Sequence, residues 1–328
     1  MKRIMNKELL TDILKELGGE KMVFPYYAGR YAPLLLGMAY GDAAADQVLR
    51  PSAGGLAERL MRKPILQQAV RDAHGAPLRV GDLDLVWDDP CEWYRLTLDS
   101  WGEADRDTWW QTSRPGWNLV LQMNFSAEHD RQFRSLVKPG RCSPFGSYSH
   151  PVHKKGRQTL AWSRIDLDLE QGEALIEEVQ NDWLRKADHG VKTVRSYHGR
   201  RSQRLRRRVE SLFWDTRCRP RELYRYVDEV LKNHRSFWAE AMLSAAVWFL
   251  RERLGIREIY YHTSLWGSRL KGLDEDWGPP FSLYEGLPKK LGFTRRRGLP
   301  RFLERTKRGV RRRRSWRREG PEFWYLAL

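Results

Sequence analysis

Apolar residues recur at helical spacing through residues 1–75 of the chain. The helices that this spacing predicts cover residues 9–17, 31–40 and 56–70. The first of them ends at Gly18-Gly19, because glycine commonly terminates a helix. We therefore expect a small helical N-terminal subdomain over residues 1–75, followed by a second domain over residues 76–328.

After residue 75 the pattern changes to the alternation of apolar and polar positions that is typical of strands. The predicted strands cover residues 80–87, 117–125, 160–169, 173–180, 256–263 and 323–328. A slip in the alternation at Ser163-Arg164 indicates a β-bulge. Gln171-Gly172 predicts a tight turn that joins the strands on either side of it as a hairpin.

The strongest predicted helix covers Ser236–Leu254, because Ala, Met, Leu, Glu and Arg dominate this segment. Ser236 is a suitable N-cap, and Gly255 is a suitable terminator. A helical connection makes the strands at 173–180 and 256–263 parallel neighbours. The expected fold class is therefore α/β (α+β): a mixed sheet with flanking helices and a basic helical insert at about residues 184–235.

The positive charge of the chain is concentrated in two segments. The formal net charge is +17, of which residues 195–219 carry +7 and residues 295–318 carry +12, so the rest is close to neutral. Guanidinium groups bind phosphates in a bidentate manner, so such segments suit a polyanion. We expect nucleic acid (tRNA or other RNA, or DNA) to bind at Arg206, Arg207, Arg208, Arg311, Arg312, Arg313 and Arg314. The alternative is a pair of solvated basic loops.

The order of elements in residues 160–328, together with LYEGLPKKLGF at 283–293, resembles the second half of the GNAT family of N-acetyltransferases. The resemblance implies that acetyl-CoA or another acyl-CoA is used, and that Tyr284 protonates the departing thiolate of coenzyme A. The family's glycine-rich pyrophosphate loop has no counterpart here, because the matching place, KNHRSFW, contains no glycine. The resemblance assigns cofactor binding instead to His234, Arg235 and Ser236.

A second resemblance is to a segment found in large polyvalent proteins of phages and mobile elements. The matching residues are EEVQNDW at 177–183, WAEA at 238–241 and His262-Thr263. This resemblance implies an association with phages or mobile elements, and it implies no particular activity.

Candidate catalytic residues lie at the ends of the two predicted parallel strands. Glu178 and Asp182 end the strand at 173–180, where crevices open in α/β sheets, so either carboxylate is placed to act as a general base. His262 ends the neighbouring strand, so we expect it to lie near Gln180 or Asp182, where it would form an acid–imidazole pair with the carboxylate. The alternatives are a solvated strand end, an acidic partner for the arginines that follow, and a histidine whose hydrogen bonds are satisfied locally.

Other classes of function are excluded or disfavoured by the sequence. No apolar run reaches the length of a transmembrane helix, and the N-terminal segment contains acids within its apolar stretch, unlike a secretory signal. Three cysteines without a CxxC pair predict neither a disulfide framework nor a zinc ribbon, and a cytoplasmic location is expected. The HPVH unit that begins at His150 is interpreted as a loop, because a metal site needs three or four ligands.

The sequence therefore favours an acyl-CoA-dependent N-acyltransferase that acts on an amine of an RNA-linked or protein substrate, without a metal. This hypothesis requires Glu178, His262 and Tyr284 to line one cleft. The alternative is a noncatalytic nucleic-acid-binding or phage-associated interaction module on the same fold.

Overall fold

The computed structural model describes residues 5–41, 43–50, 52–103, 112–114, 116–141, 143–147, 149–152, 156–197, 218–271, 280–304 and 320–328. Its strands are β1 (Met22–Tyr26), β2 (Glu92–Glu103), β3 (Gly116–Asn124), β4 (Thr159–Asp168), β5 (Glu173–Gln180), β6 (Glu258–His262), β7 (Thr294–Arg297) and β8 (Glu322–Ala327). They form a single mixed sheet in the order β1-β2-β3-β4-β5-β6-β8-β7. The protein is thus a mixed α/β protein, as the sequence predicts.

Helices pack against strands β2 to β5 of this sheet. In the described part of the chain they are α1 (Lys7–Leu17), α2 (Tyr31–Tyr40), α3 (Leu56–Met61), α4 (Pro64–Asp72), α5 (Ala127–Leu136), α6 (Trp183–Tyr197), α7 (Pro220–Arg225), α8 (Lys232–Trp248), α9 (Ser264–Lys271), α10 (Leu287–Lys290) and α11 (Arg301–Glu304). π-helical turns follow α7 and α8, and a third one, Ser282–Gly286, precedes α10. None of the helices in these ranges has the length and apolar character needed to cross a membrane.

Helix α8 is the central packing element. Ala241, Met242, Ala245 and Ala246 are buried, so the second half of the helix packs as an apolar element against β4 and β5. Phe237, near its start, packs on Tyr26 with ring centroids 5.5 Å apart, and Trp248, at its end, packs on Phe24 at 5.8 Å. The helix therefore ties the edge strand β1 to the middle of the sheet.

The parallel pair and the hairpin predicted from the sequence are confirmed. Strands β4 and β5 pair antiparallel around Gly172, whose φ of 64° suits glycine in a tight turn. Strand β5 pairs with β6 in parallel, and every other neighbouring pair is antiparallel. A bulge is present at this level of the sheet, but on the partner strand of the predicted one: Arg164 pairs with Glu178 and Ile165 with Ile176, so Glu177 of β5 is the extra residue.

Several predicted elements are wrong. Residues Val80–Leu85 form a 3-10 helix instead of a strand, because their apolar residues recur every three positions. The predicted helix at 56–70 is broken at Lys63, which is extended ahead of Pro64. Segment 1–75 is not purely helical, because β1 pairs with β2 in the sheet.

Candidate functional site

A cleft opens where the two parallel strands separate. Strands β5 and β6 pair only as far as Ile176 and Tyr261, and beyond this point β5 continues to Gln180 paired only with β4. The cleft has a volume of about 1070 Å³ and lies between the end of β5, α6, the first half of α8, α9 and the turn before α10. Its position follows from the topology, because a crossover between parallel strands leaves a crevice at their carboxyl ends.

Two donors on the floor of the cleft share one acceptor, the main-chain carbonyl oxygen of Glu177. Lys271 Nζ donates a hydrogen bond to this oxygen at 2.6 Å, and the hydroxyl of Tyr284 donates to it at 3.3 Å. Both side chains line the cleft. The β-bulge thus supplies the carbonyl that holds an ammonium group and a phenol side by side.

The carboxylate of Glu177 lies behind this floor in a fully buried cluster. Oε1 accepts a hydrogen bond from the main-chain N–H of Ser113 at 2.9 Å, and Oε2 accepts one from Ser113 Oγ at 2.8 Å. His262 Nε2 lies 3.0 Å from Oε2 and 2.8 Å from Ser113 Oγ. Glu177, Ser113 and His262 therefore form one hydrogen-bonded unit at the parting of the strands.

The charges in this cluster follow from burial and hydrogen bonding. Burial alone would raise the pKa of Glu177, but the hydrogen bond from His262 and the charges of His262, when it is protonated in acid, of Lys271 and of Arg164 lower it to about 2. Burial lowers the pKa of His262. Its Nδ1 is buried and has no hydrogen-bond partner among the described residues, which favours a neutral ring protonated on Nε2. The cluster thus holds a carboxylate and a neutral imidazole.

Glu178 lines the cleft and is paired with a buried arginine. Arg164, only 1% exposed, donates to Glu178 Oε2 from Nε at 2.9 Å and also from one terminal nitrogen. The guanidinium carbon of Arg164 lies 5.4 Å from the ring centre of Trp101. Burial would raise the pKa of Glu178, but the charges of Arg164 and Lys271 lower it overall. Glu178 is therefore an ionised carboxylate in the cleft.

Asp182 belongs to a separate group beside the cleft and is absent from its lining. Its carboxylate accepts hydrogen bonds from His150 Nδ1, from Arg185 at 2.6 Å and from Gln180 at 3.2 Å. Burial would raise the pKa of Asp182, but the hydrogen bond and charge of His150 lower it. The sequence analysis interpreted His150 as part of a loop and expected His262 to be the partner of Asp182. In the structure, His150 is the histidine that bonds to Asp182.

Tyr284 is buried, and its ring centre lies 5.3 Å from that of Tyr261. Burial raises its pKa well above the usual value, so the phenol is protonated at neutral pH. Its main-chain oxygen accepts a hydrogen bond from Trp324 Nε1 at 2.7 Å, which ties the turn Ser282–Gly286 to β8. The structure therefore presents a protonated, well-anchored phenol to the cleft.

The three residues expected to bind the cofactor are divided between the core and the cleft. His234 is buried, bonds through Nδ1 to the hydroxyl of Tyr94 at 2.8 Å, and does not line the cleft. Burial lowers its pKa to about 3. Arg235 and Ser236 do line the cleft, and Arg235 is paired with Asp188 at 2.6 Å.

The helix does not offer a phosphate cradle at this place. Ser236 is not an N-cap as predicted, because α8 begins at Lys232 and follows α7 through a π-helical turn. The main-chain N–H of Arg235 is already bonded to the carbonyl of Leu231 at 2.9 Å. Only free N–H groups of a helix terminus bind phosphate, so any phosphate here has to be held by side chains.

The cleft gathers two of the four predicted catalytic residues, Glu178 and Tyr284. The expectation that His262 lines the same cleft is not met, since its side chain is fully buried behind the floor. Sequence reasoning missed Glu177 and Lys271. The adjacent pair Glu177-Glu178 was a signal that could have pointed to Glu177. A bulge in a strand reverses which of two neighbouring side chains faces inward, so either glutamate could be the buried one.

The predicted nucleic-acid-binding arginines (Arg206, Arg207, Arg208, Arg311, Arg312, Arg313 and Arg314) lie outside the described residues. Within the described part of the chain, no cluster of three His, Cys, Asp or Glu side chains is placed to hold a metal ion. No protein-family model, curated protein or solved structure matches the chain.

Proposed function

We propose that the protein is an N-acyltransferase that moves an acyl group from acetyl-CoA or another acyl-CoA to an amine of an RNA-linked or protein substrate. The observation that carries the proposal is the parting of β5 and β6 beyond Ile176 and Tyr261, with a cleft of about 1070 Å³ at that point. A slot between separating strands suits an extended thioester arm, and Glu178 and Tyr284 lie on its walls.

In the proposed reaction the amine nitrogen attacks the thioester carbonyl carbon, and the C–S bond breaks after the C–N bond forms. Glu178 accepts the proton that the amine loses, since its carboxylate is ionised. Tyr284 donates its phenolic proton to the departing sulfur, since burial keeps the phenol protonated. Glu177 and His262 act as positioning residues, because the Glu177 carbonyl oxygen orients the phenol and His262 holds the Glu177 side chain.

The donor's phosphates would bind to side chains at the mouth of the cleft. Arg185 and Arg235 lie there, each paired with an aspartate. Because those pairs compete with a phosphate, we expect the binding energy to come mainly from the acyl and thioester portion.

The test is release of free thiol from acetyl-CoA in the presence of amine acceptors, namely aminoacyl-tRNA and a lysine-rich peptide. Tyr284→Phe is expected to lower the rate by about a hundredfold or more, as loss of a general acid does. Tyr224→Phe is the matched control, because the buried Tyr224 hydroxyl has no partner among the described residues. Acetyl-CoA that neither stabilises the protein nor is consumed, together with salt-sensitive RNA binding, would leave the noncatalytic nucleic-acid-binding module as the function.

A further inference from the structure

A second cavity adjoins the cleft at Gly286, and cations predominate among the charged residues that line it. Its volume is about 910 Å³. The cations that line it are Arg59, Arg62, Lys63, Lys289 and Arg295, and the carboxylate in its lining is Glu285. We call this cavity the basic groove. Five cations against one carboxylate make it complementary to a chain of negative charges.

Several of these cations have no carboxylate partner in the described part of the chain. Arg62 is paired with Glu58, and Arg295 with Glu285. The guanidinium group of Arg59 donates instead to two main-chain carbonyls, those of residues 54 and 292. Lys63 and Lys289 take part in none of the ion pairs formed there.

Like charges also converge on Tyr31, in a neighbouring cavity of about 960 Å³ that shares Lys63 with the groove and Lys290 with the cleft. The ammonium groups of Lys63 and Lys290 lie 5.8 and 6.0 Å from the ring centre of the same residue, Tyr31. Glu240 is paired with Lys290, and its charge reaches Lys63 only at a distance beyond that of an ion pair. Burial and the charge of Lys290 lower the pKa of Lys63. Such repulsion falls when a phosphate group binds between the cations.

The groove has an aromatic platform and an opening into the cleft. Phe281, which is 75% exposed, lies in its lining. Gly286 lines both the groove and the cleft, and a Cβ placed there would meet nothing within 4 Å. An exposed aromatic ring beside cations is the usual arrangement for unpaired bases, which stack on the ring while the phosphates bind the cations.

We propose that the basic groove binds single-stranded RNA, with its phosphates on Lys63 and Lys289 and a base stacked on Phe281, and that the end of the RNA passes over Gly286 into the cleft. Binding of RNA to the groove does not depend on the proposed acyl transfer. Only the function of the RNA end inside the cleft rests on the proposed function. This site is distinct from the predicted arginines at 206–208 and 311–314.

Binding is tested with the full chain and a fluorescein-labelled single-stranded RNA, by anisotropy at several salt concentrations. In Lys63→Gln/Lys289→Gln, two lost phosphate contacts should reduce the slope of log K against log salt by about 1.4. Phe281→Ala should lower the affinity about fivefold or more. The control Lys7→Gln/Lys15→Gln removes two exposed lysines from α1 and should leave the slope unchanged. Equal slopes in the two double variants, or equal competition by polyglutamate, would overturn the proposal.

The path into the cleft is tested by cross-linking, without any measurement of activity. RNA with a 3′-terminal 4-thiouridine should cross-link to residues 235–240 in the unaltered protein. Gly286 has helical backbone angles and open space at its Cβ, so Gly286→Leu should keep the fold and the RNA affinity but lose that cross-link. An unchanged cross-link in Gly286→Leu, or cross-links only elsewhere, would contradict the path. Failure of acyl transfer would leave both results standing.

Discussion

Replacing Glu177 by glutamine tests whether the buried cluster behind the cleft holds a charged carboxylate. The amide has the shape of the carboxylate and still accepts from the main-chain N–H of Ser113. It loses the charge that Lys271 and the Nε2–H of His262 face. The expected result is a large loss of stability with little change of fold.

The size of the loss follows from the electrostatics of the site. The pKa of Glu177 falls from the ordinary 4.5 to about 2 in the folded protein. That difference corresponds to about 3 kcal/mol of folding free energy at neutral pH. Loss of one partner of a buried ion pair also costs about 3–5 kcal/mol, so the two routes agree. We expect Glu177→Gln to lower the free energy of unfolding by about 3 kcal/mol.

The pH dependence has a definite sign. Because the folded pKa of Glu177 lies below the unfolded value, its contribution is fully present above about pH 5 and is lost as the pH falls towards 2. From Glu177 alone, the gap between the two proteins should therefore be largest at pH 7, fall to about 1.4 kcal/mol at about pH 3 and close only below about pH 2. The Glu177 carboxylate also raises the pKa of His262 against the effect of burial, so protonation of His262 in acid destabilises the variant more and makes the gap close less completely.

Urea unfolding, followed by tryptophan fluorescence between pH 7 and pH 3, measures this gap. Glu170→Gln is the control, because Glu170 is exposed in the turn between β4 and β5 and should change the stability by less than about 0.5 kcal/mol. A gap below about 1 kcal/mol at pH 7, or one that does not depend on pH, would refute the ionised, paired carboxylate.

Three further substitutions test the cleft and its frame. Glu178→Gln should lower the thiol-release rate about a hundredfold and flatten the acidic limb of the pH–rate profile, and an unchanged limb would exclude Glu178 as the base. Tyr284→Phe should lower the thiol-release rate at every pH from about 6 to about 9 while changing the free energy of unfolding by only about 1 kcal/mol, because the buried phenol stays protonated over that range. Gly292→Ala should cost about 1–3 kcal/mol, measured by urea unfolding, because φ is 86° and the new Cβ would lie 2.7 Å from Leu56 Cδ1. Gly286→Ala, with open space at its Cβ, is its control and should be nearly neutral.

The elements that the sequence predicted well are those set by nearby residues. The hairpin around Gly172, the strand 173–180 and the helix that ends at Gly255 depend on alternation, turn chemistry and helix termination, which all act within a few positions. The parallel pairing of β5 and β6 was predicted because a helical connection joins the two strands, and such crossovers have one preferred handedness. The edge strand β7 was missed because its residues, TRRR, are all exposed and show no alternation.

By itself, the sequence determined the mixed α/β sheet, its parallel pair and the position of Glu178 and Tyr284 near the gap. Only the tertiary structure decided that Glu177 faces inward and that His262 bonds to it behind the floor of the cleft. It also decided that Ser113 and Lys271 complete the cluster. The physical reason is that a single bulge changes which face a side chain occupies, and that the partners of a buried charge come from distant parts of the chain.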